Sequence, residues 1–330
     1  MKLSEIRPET CNKKYWEKQL HEYTKKYVDE TTGYVNKKYL KERHCPVCFA
    51  NEYERLFKKH GLDFVKCKTC GLVYITPYLK RNVKEEFYKS SEGFNSFFTD
   101  IILKTRENRL KLIWEKRLTF FLKYYRSGTI LDVGCGTGEF LELLDKAGHN
   151  DMLGVEPNKV AAEYITGKLP GKVINDTFEN IRIEDGSISA VTLWEVFSHF
   201  VNPDDILKRL YSILSPLGIL IISSPNYSGF EYQILRELHD DVGFHLPNYF
   251  SIRILKDLLK NNGFDSIDIS TPGQLDVQHV EAKLLTGVDS EICPFVNEVI
   301  MDEQIRKNFQ LFLRENKLSG SMLVIARKSG

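Results

Sequence analysis

The sequence lacks a long hydrophobic segment. None of its 330 residues belongs to a run of about 18 apolar residues, which is the length that a transmembrane helix requires. The first residues, MKLSEIRPETCNKKYW, also lack the apolar stretch of a secretory signal peptide. These two absences predict a chain without a membrane anchor that works in the cytoplasm.

The chain also lacks a strong overall charge, since its formal net charge is +1. The charges are unevenly distributed, with 20 Lys and Arg against 12 Asp and Glu in residues 1–90 and 26 against 33 in the remainder. A basic N-terminal part suits a phosphate-bearing partner, either RNA or a nucleotide-linked substrate. A solvated basic helix explains the same composition. Near-neutral charge, and the lack of a basic stripe interleaved with aromatic residues, count against a nucleic-acid partner.

The cysteines do not fit a disulfide framework, because seven is an odd number and no export signal is present. Four of them follow the pattern C-x₂-C-x₁₈-C-x₂-C, namely Cys45, Cys48, Cys67 and Cys70. This spacing is typical of structural zinc sites, in which two tight turns each aim two thiolates at one point. Gly71 is expected to have a positive φ in the second turn.

Because all four expected ligands are thiolates, no coordination position remains for water, and we expect a structural zinc ion rather than a catalytic one. His44 and His60 flank the cluster and are expected in solvent, outside a ligand shell that is already full. Metal-free thiol pairs or a redox CxxC are the alternatives, although neither pair precedes a helix in a β-α-β pattern.

A second motif joins a predicted buried strand to a helix through three glycines. The strand is Thr129–Val133, the helix is Glu139–Ala147, and the turn between them contains Gly134, Gly136 and Gly138. A glycine-rich turn at this position lets a ligand lie against the backbone, since no Cβ occupies the space.

The turn differs from that of nicotinamide-dependent dehydrogenases, which have G-x-G-x-x-G. Here the glycines follow G-x-G-x-G after an acid, Asp132. A carboxylate would repel a dinucleotide pyrophosphate but favours a cationic sulfonium. The segment LDVGCGTG resembles the first motif of the class I S-adenosylmethionine (SAM)-dependent methyltransferases. The resemblance implies that Asp132, Gly134, Cys135, Gly136 and Gly138 contribute to a SAM site.

The resemblance continues in chain order. Glu156 follows the second strand, 18 residues after Gly138, near the spacing at which an acid binds the ribose hydroxyls. Asp176 follows the third strand, where the family has an acid that binds the adenine amino group. The cofactor contacts implied beyond the glycine turn are Glu156, Pro157, Asp176, Thr177, Phe178, Trp194 and Glu195. A surface carboxylate or helix cap is the alternative for each acid, and a core position is the alternative for Trp194.

The resemblance implies an α/β fold with a Rossmann-like seven-stranded methyltransferase sheet. We divide the chain into a basic helical segment (1–43), a Cys₄ zinc ribbon (44–76), linking helices (77–126) and a methyltransferase domain (127–330). The domain includes a helical insertion, 275–317, before the last strand, which suits a lid or a homodimer surface. A loop is predicted over Ser90–Asn95, and one long helix over Phe97–Tyr125.

Methyl transfer to a hydroxyl requires a base, and histidine, with a pKa of about 6.5, suits this role. His245 lies in a segment that resembles the family's H-x-x-x-(Y/F)-F, and we expect it to be the general base. His199 is expected to assist it or shape the pocket, and Tyr249 to bind the acceptor. A structural hydrogen bond is the alternative for each histidine.

The combination of ribbon and core resembles a subgroup that modifies sugars, which by analogy predicts O-methylation of a sugar or a nucleotide-linked sugar. C-methylation of a deoxysugar stays open, since it also needs a base. One alternative function is an RNA methyltransferase whose ribbon holds RNA. Another is a non-catalytic SAM-binding scaffold. Ser198 supports this alternative, because the family usually has glutamate at this position.

Overall fold

The protein is described by a computed structural model that covers residues 2–6, 9–285 and 294–329. Two helices begin the chain, α1 (Leu3–Ile6) and α2 (Glu9–Tyr27). Tyr23 and Tyr27 of α2 are buried, while Lys25 and Lys26 are exposed. Tyr23 stacks on Phe244, from the C-terminal half of the chain, with 3.8 Å between ring centroids. The basic N-terminal segment is therefore attached to the body by aromatic packing.

Five short strands form the cysteine-containing ribbon. They are β1 (Leu40–Lys41), β2 (Tyr53–Lys59), β3 (Leu62–Cys67), β4 (Val73–Ile75) and β5 (Tyr78–Leu79). β2, β3 and β4 pair antiparallel, and β1 pairs with β5. β2 and β3 lie on either side of residue 60.

The linking region consists of short helices: α3 (Arg81–Ser90), α4 (Glu92–Ser96), α5 (Arg106–Arg109) and α6 (Glu115–Tyr124). Two π-helical segments lie among them, Phe97–Ile102 and Leu110–Trp114. The loop predicted over Ser90–Asn95 is wrong. Ser91 caps a helix there, because its hydroxyl accepts a hydrogen bond from the backbone N–H of Phe94.

The single helix predicted over Phe97–Tyr125 is also wrong, because the chain turns at residues 103–105. The Thr105 hydroxyl donates to the carbonyl of Ile101 at 2.7 Å. A threonine that bonds back to the carbonyl four residues earlier competes with the helical ladder and bends it.

The methyltransferase domain contains the remaining elements. Its strands are β6 (Ile130–Val133), β7 (Met152–Val155), β8 (Val173–Ile174), β9 (Ile188–Trp194), β10 (Leu214–Pro225), β11 (Asn248–Tyr249), β12 (Phe264–Ser270) and β13 (Ser321–Lys328). Its helices are α7 (Glu139–Lys146), α8 (Lys159–Thr166), α9 (Pro203–Ile213), α10 (Phe230–Leu235), α11 (Ile252–Asn261), α12 (Asp276–Leu285), α13 (Pro294–Met301) and α14 (Glu303–Glu315).

Seven of these strands form one sheet in the order β12-β13-β10-β9-β6-β7-β8. Neighbours from β10 to β8 pair in parallel, and β13 is antiparallel to both β10 and β12. The predicted seven-stranded Rossmann-like sheet is confirmed. The strand order reverses between β6 and β9, and ligands bind open α/β sheets at the carboxyl ends of the strands near such a reversal.

The predicted insertion at 275–317 contains α12, α13 and α14 in its described part, and residues 286–293 lie outside the described residues. Within the described chain, no helix combines the length and apolar character needed to cross a bilayer.

The ribbon and the methyltransferase domain share a sheet. β11 pairs antiparallel with β4 through Asn248↔Tyr74 and Tyr249↔Val73, which extends the ribbon to the order β11-β4-β3-β2. Cys45 and Cys67 belong to the same hydrophobic core as the main sheet. The ribbon is thus part of the body of the protein.

A half-buried arginine fastens this junction. The guanidinium of Arg43 donates to the carbonyls of Ile75, Val201 and Pro247 at 2.8, 2.8 and 2.6 Å, and to the side-chain oxygen of Asn248 at 2.8 Å. Burial lowers the pKa of Arg43 to about 10. A rigid fork with five N–H donors is suited to joining several carbonyls in this way.

We expect Arg43→Met to lower the free energy of unfolding by about 3 kcal/mol, because buried acceptors lose their donor. Arg43→Lys should recover only part of this, since an ammonium group does not reproduce the fork. Urea unfolding measures both, with Arg55→Met as the control, because the Arg55 side chain is 72% exposed. Equal midpoints for Arg43→Met and the unsubstituted protein would show that other contacts dock the ribbon.

Candidate cofactor and acceptor site

A cavity of about 420 Å³ lies at the carboxyl ends of β6, β7 and β9. Its floor contains the glycine turn after β6. Its roof contains residues of α3 and of the π-helical segment Phe97–Ile102. The volume lies within the range of small-molecule sites, which is about 300–1,000 Å³.

The three glycines of the turn have positive φ angles of 70°, 57° and 77°. A Cβ on Gly134 would lie 2.5 Å from Val196, and one on Gly138 would lie 2.1 Å from Ile165. At these two positions the protein's own packing excludes a side chain, which is a second reason for glycine beside the space that a ligand needs. Gly136 has no such contact within 3.7 Å, and its backbone lines the cavity.

Cys135 also lines the cavity, but its thiol lies beneath the turn. A Cβ added to Gly154 would be 2.7 Å from the sulfur. Burial raises the pKa of Cys135 well above its usual value. The residue therefore offers its backbone to the cavity and keeps its sulfur in the core.

Glu156 is buried in the cavity wall and is held by backbone donors. Its two carboxylate oxygens accept from the N–H groups of Gly136 at 2.9 Å and Asn158 at 2.8 Å. Burial raises the pKa of Glu156 to about 7. Each oxygen keeps a second lone pair, so the carboxylate can still accept from a ligand hydroxyl. Pro157 lines the same wall.

Asp132 is not part of the cavity lining. Its carboxylate accepts from the Thr192 hydroxyl of the neighbouring strand at 2.6 Å, and it is 1% exposed. Burial raises its pKa to about 7, although the Arg117 charge opposes the shift. The predicted direct contact with the cofactor is corrected, because the side chain lies behind the turn.

Asp176 is likewise outside the cavity. Its carboxylate pairs with Lys89 at 3.1 Å and accepts from the Thr177 N–H at 2.8 Å. The Asn180 side chain, which donates to the same carboxylate at 2.9 Å, lowers its pKa most, Thr177 and Lys89 add to this, and partial burial opposes it. In the structure this carboxylate links to α3, and its contact with the adenine amino group stays a prediction. Thr177 and Phe178 do line the cavity, and the buried Thr177 hydroxyl has no hydrogen-bond partner among the described residues.

Trp194 and Glu195 line the cavity together with Arg117, which the sequence analysis missed. The guanidinium lies 4.8 Å from the ring centroid of Trp114 and 4.9 Å from that of Trp194. It pairs with Glu195 at 2.9 Å. Burial lowers the pKa of Arg117. Glu195 has φ +61°, a strained value that often marks functional sites.

His199 and His245 both line the other end of the cavity, with ring centroids 6.2 Å apart. Tyr249 does not, so the predicted acceptor contact is corrected. It belongs to β11, which places it in the ribbon core, and its hydroxyl accepts from the N–H of Gly243 at 2.9 Å. The structure thus brings together two of the three predicted catalytic residues.

Two residues of α3 complete this end of the cavity and were missed. The ammonium group of Lys84 donates to the carbonyl of His199, and burial lowers the Lys84 pKa to about 7. The Tyr88 hydroxyl contacts Nδ1 of His199 and donates to the carbonyl of His245 at 3.1 Å. Lys84 and Tyr88 are four residues apart on one helix face. That spacing is the only sequence signal for them, and it is common on surface helices.

The four ribbon sulfurs converge on one point. The Sγ atoms of Cys45 and Cys70 are 3.5 Å apart, as are those of Cys48 and Cys67, and all four lie within 4.8 Å of one another. A tetrahedral shell with Zn–S bonds of about 2.3 Å separates sulfurs by roughly 3.8 Å. The donor set and its dimensions therefore fit zinc.

The two cysteine turns have matching backbones. Cys45 and Cys67 each donate to the carbonyl five residues later and accept from the N–H four residues later. The residues at this last position, Phe49 and Gly71, have φ +60° and +83°, as expected for Gly71. His44 is exposed. His60 is not, because it packs against Phe244, and burial lowers its pKa to about 3.

A second convergence of ligand-type residues holds the insertion in place. Glu231 accepts from His279 at 2.5 Å and lies 3.7 Å from Nε2 of His239. The backbone N–H of Asp241 donates to Nδ1 of His239, so the neutral ring carries its proton on Nε2 and offers no lone pair there. This favours a hydrogen-bonded link between α10 and α12 over a metal site.

Residues 105–269, half of the chain, match a family model described as a methyltransferase domain. No curated protein matches the chain.

Solved structures with the same domain are numerous. A methyltransferase in a Haloferax volcanii complex with a methyltransferase activator shares 14% identity at a TM-score of 0.50, covering 72% of this chain and 98% of that one. A SAM-dependent methyltransferase of Thermotoga maritima shares 19% identity at a TM-score of 0.47, covering 71% and 98%. A SAM-dependent methyltransferase of Archaeoglobus fulgidus shares 21% identity at a TM-score of 0.47, covering 66% of this chain and 94% of that one.

The family match spans the glycine turn, Glu156, Trp194 and both histidines of the cavity. The chain belongs to this methyltransferase domain family and is a class I SAM-dependent methyltransferase.

Proposed function

We propose that the protein transfers the methyl group of SAM to a hydroxyl group of a small molecule, a sugar or a nucleotide-linked sugar. One observation carries this proposal: His199 and His245 line the same cavity as the glycine turn, beneath a roof of α3 residues. A roofed cavity favours a small acceptor. Charged groups near the histidines, including Arg81, Lys84 and Asp241, offer partners for hydroxyl or phosphate groups.

The residues present fit SAM. The Glu156 carboxylate has lone pairs left for the ribose hydroxyls, and the buried Thr177 hydroxyl and Phe178 suit the adenine end. Arg117 and Glu195 offer opposite charges for the amino-acid end. When bound, SAM supplies an electrophilic methyl group on a sulfonium. The protein's part is to align the acceptor, exclude water and take up the proton that the hydroxyl releases.

We also propose that Cys45, Cys48, Cys67 and Cys70 hold a structural zinc ion. The convergence of four sulfurs and the matched backbone turns support this. A full shell of thiolates leaves no position for a reacting group. The ion would therefore stabilise the ribbon and, through β5, the start of α3.

The ribbon also bears on the RNA alternative. Its inner face packs into the common core, while Arg55 and Lys68 are exposed on its outer side. Holding RNA would thus depend on scattered surface charges. Salt-dependent binding of RNA to a filter separates this function from the proposed one.

Calorimetric titration with S-adenosylhomocysteine tests the cofactor site. We expect Glu156→Ala to weaken binding about 10- to 100-fold, because hydrogen bonds to a charged group contribute about 1.5–3 kcal/mol. Asp176→Asn should leave the dissociation constant unchanged, since Asp176 lies outside the cavity. The opposite ranking would restore the adenine role of Asp176. If the folded protein does not bind the ligand, the scaffold function is also excluded.

Methyl-tritiated SAM tests the acceptor class. We expect label to enter nucleotide sugars or free sugars and not RNA. His199→Gln and His245→Gln should each lower turnover, by about 100-fold for the residue that acts as the base, without weakening S-adenosylhomocysteine binding. His21→Gln is the control, because His21 is exposed on α2. Transfer of label to RNA alone would contradict the proposal.

Metal analysis tests the ribbon. We expect one zinc ion per purified chain, and we expect Cys67→Ser to lose it and to melt at a lower temperature. Cys135→Ala should retain the ion, because its thiol lies in the methyltransferase core. A folded protein without metal, with a melting temperature that chelators do not change, would overturn the zinc assignment.

A further inference from the structure

Tyr88 lies between the two histidines of the cavity and touches both. Its hydroxyl contacts the Nδ1 atom of His199, and it lies 3.1 Å from the main-chain carbonyl oxygen of His245. The tyrosine is half-buried on α3, next to the Lys84 side chain that bonds the His199 carbonyl. The backbone and ring of His199 are therefore both held by one helix face.

The hydrogen-bond partners of Tyr88 constrain where the protons are. A carbonyl oxygen only accepts, so the tyrosine hydroxyl donates its single proton to His245. When the hydroxyl donates to this carbonyl, its contact with His199 is completed by a proton on the ring nitrogen Nδ1. A neutral imidazole with a proton on Nδ1 has a lone pair on Nε2.

The Nε2 atom of His199 is open to the cavity. Within the described residues this atom makes no hydrogen bond. It is not one of the fully buried side-chain nitrogen and oxygen atoms that lack a partner. His199 is one of the residues that line the cavity. In His245, by contrast, the ring atom Nδ1 is buried.

We propose that Tyr88 is a positioning residue that holds His199 in the tautomer protonated on Nδ1, so that Nε2 of His199 accepts the proton of the acceptor hydroxyl. This rests on the proposed function of the same cavity. The acceptor oxygen forms a bond to the methyl carbon as the carbon–sulfur bond breaks. The hydroxyl proton passes to Nε2 and then to solvent. The products are a methyl ether and S-adenosylhomocysteine.

The surroundings keep the His199 ring available as a base. Burial and the charges of Lys84 and His245 lower its pKa, while Asp241 and a hydrogen bond with the His245 backbone oppose them. Lys84 and Tyr88 face it from α3, and Asp241 and His245 face it from the segment that precedes β11. A lowered pKa leaves the imidazole neutral at pH 7, which a proton acceptor requires. His245 contributes its carbonyl to this arrangement and its ring to the cavity wall.

Nitrogen-15 NMR of protein labelled at histidine tests the assignment in the complex with S-adenosylhomocysteine. His199→Gln identifies the signals by their loss. We expect the unsubstituted protein to show Nδ1 of His199 as protonated and Nε2 as a bare, imine-type nitrogen. Tyr88→Phe should shift Nε2 toward the protonated type. Tyr34→Phe is the control, because Tyr34 is exposed and contacts Lys58 through its ring.

A protonated Nε2 in the unsubstituted protein would overturn the proposal, and this result does not depend on whether the Tyr88 variant folds. An unchanged tautomer in a folded Tyr88→Phe protein would also overturn it. Binding of S-adenosylhomocysteine, measured by calorimetry on the same samples, reports separately on the proposed function. Loss of binding contradicts that function, whereas intact binding with the wrong tautomer contradicts only the role of Tyr88.

Discussion

The buried guanidinium of Arg43 is the contact on which the rest of the structure depends. It joins the ribbon to two segments of the methyltransferase domain, the one after β9 and the one before β11. β5 lies in the ribbon and leads directly into α3. The placement of Tyr88 over the cavity therefore follows from the docking of the ribbon. The geometry of the acceptor site therefore depends on the hydrogen bonds that Arg43 makes at the junction.

The cofactor end and the acceptor end of the cavity draw on different parts of the chain. The floor, with its glycine turn and Glu156, lies within the residues that match the family model, whereas Lys84 and Tyr88 precede residue 105. Cofactor binding thus draws on what the family shares. The wall near the acceptor combines the two histidines, which lie within the family match, with Lys84 and Tyr88, which lie outside it. This explains why the cofactor follows from the family, while the acceptor has to be inferred from the cavity itself.

Local patterns in the sequence predicted the sheet, the cysteine turns and the position of Glu156, because each depends on residues close in the chain. Side-chain direction was less predictable. Asp132 sits at the expected strand end, but its carboxylate turns to Thr192 on the next strand. Tyr249 was drawn into the ribbon by pairing with β4. Tyr88 reaches His199 across 111 residues of sequence, and only the tertiary fold brings the two together.

The sheet shared by β4 and β11 limits how the molecule can move. A hinge motion between the ribbon and the methyltransferase domain would break the two residue pairs that join β4 to β11. It would also break the hydrogen bonds of the Arg43 guanidinium. Separating antiparallel strands breaks the N–H···O=C hydrogen bonds between them. Any opening of the cavity that preserves these bonds must therefore come from the helical roof. The π-helical segment Phe97–Ile102 lies there, and wide turns of this type are frequent at functional sites.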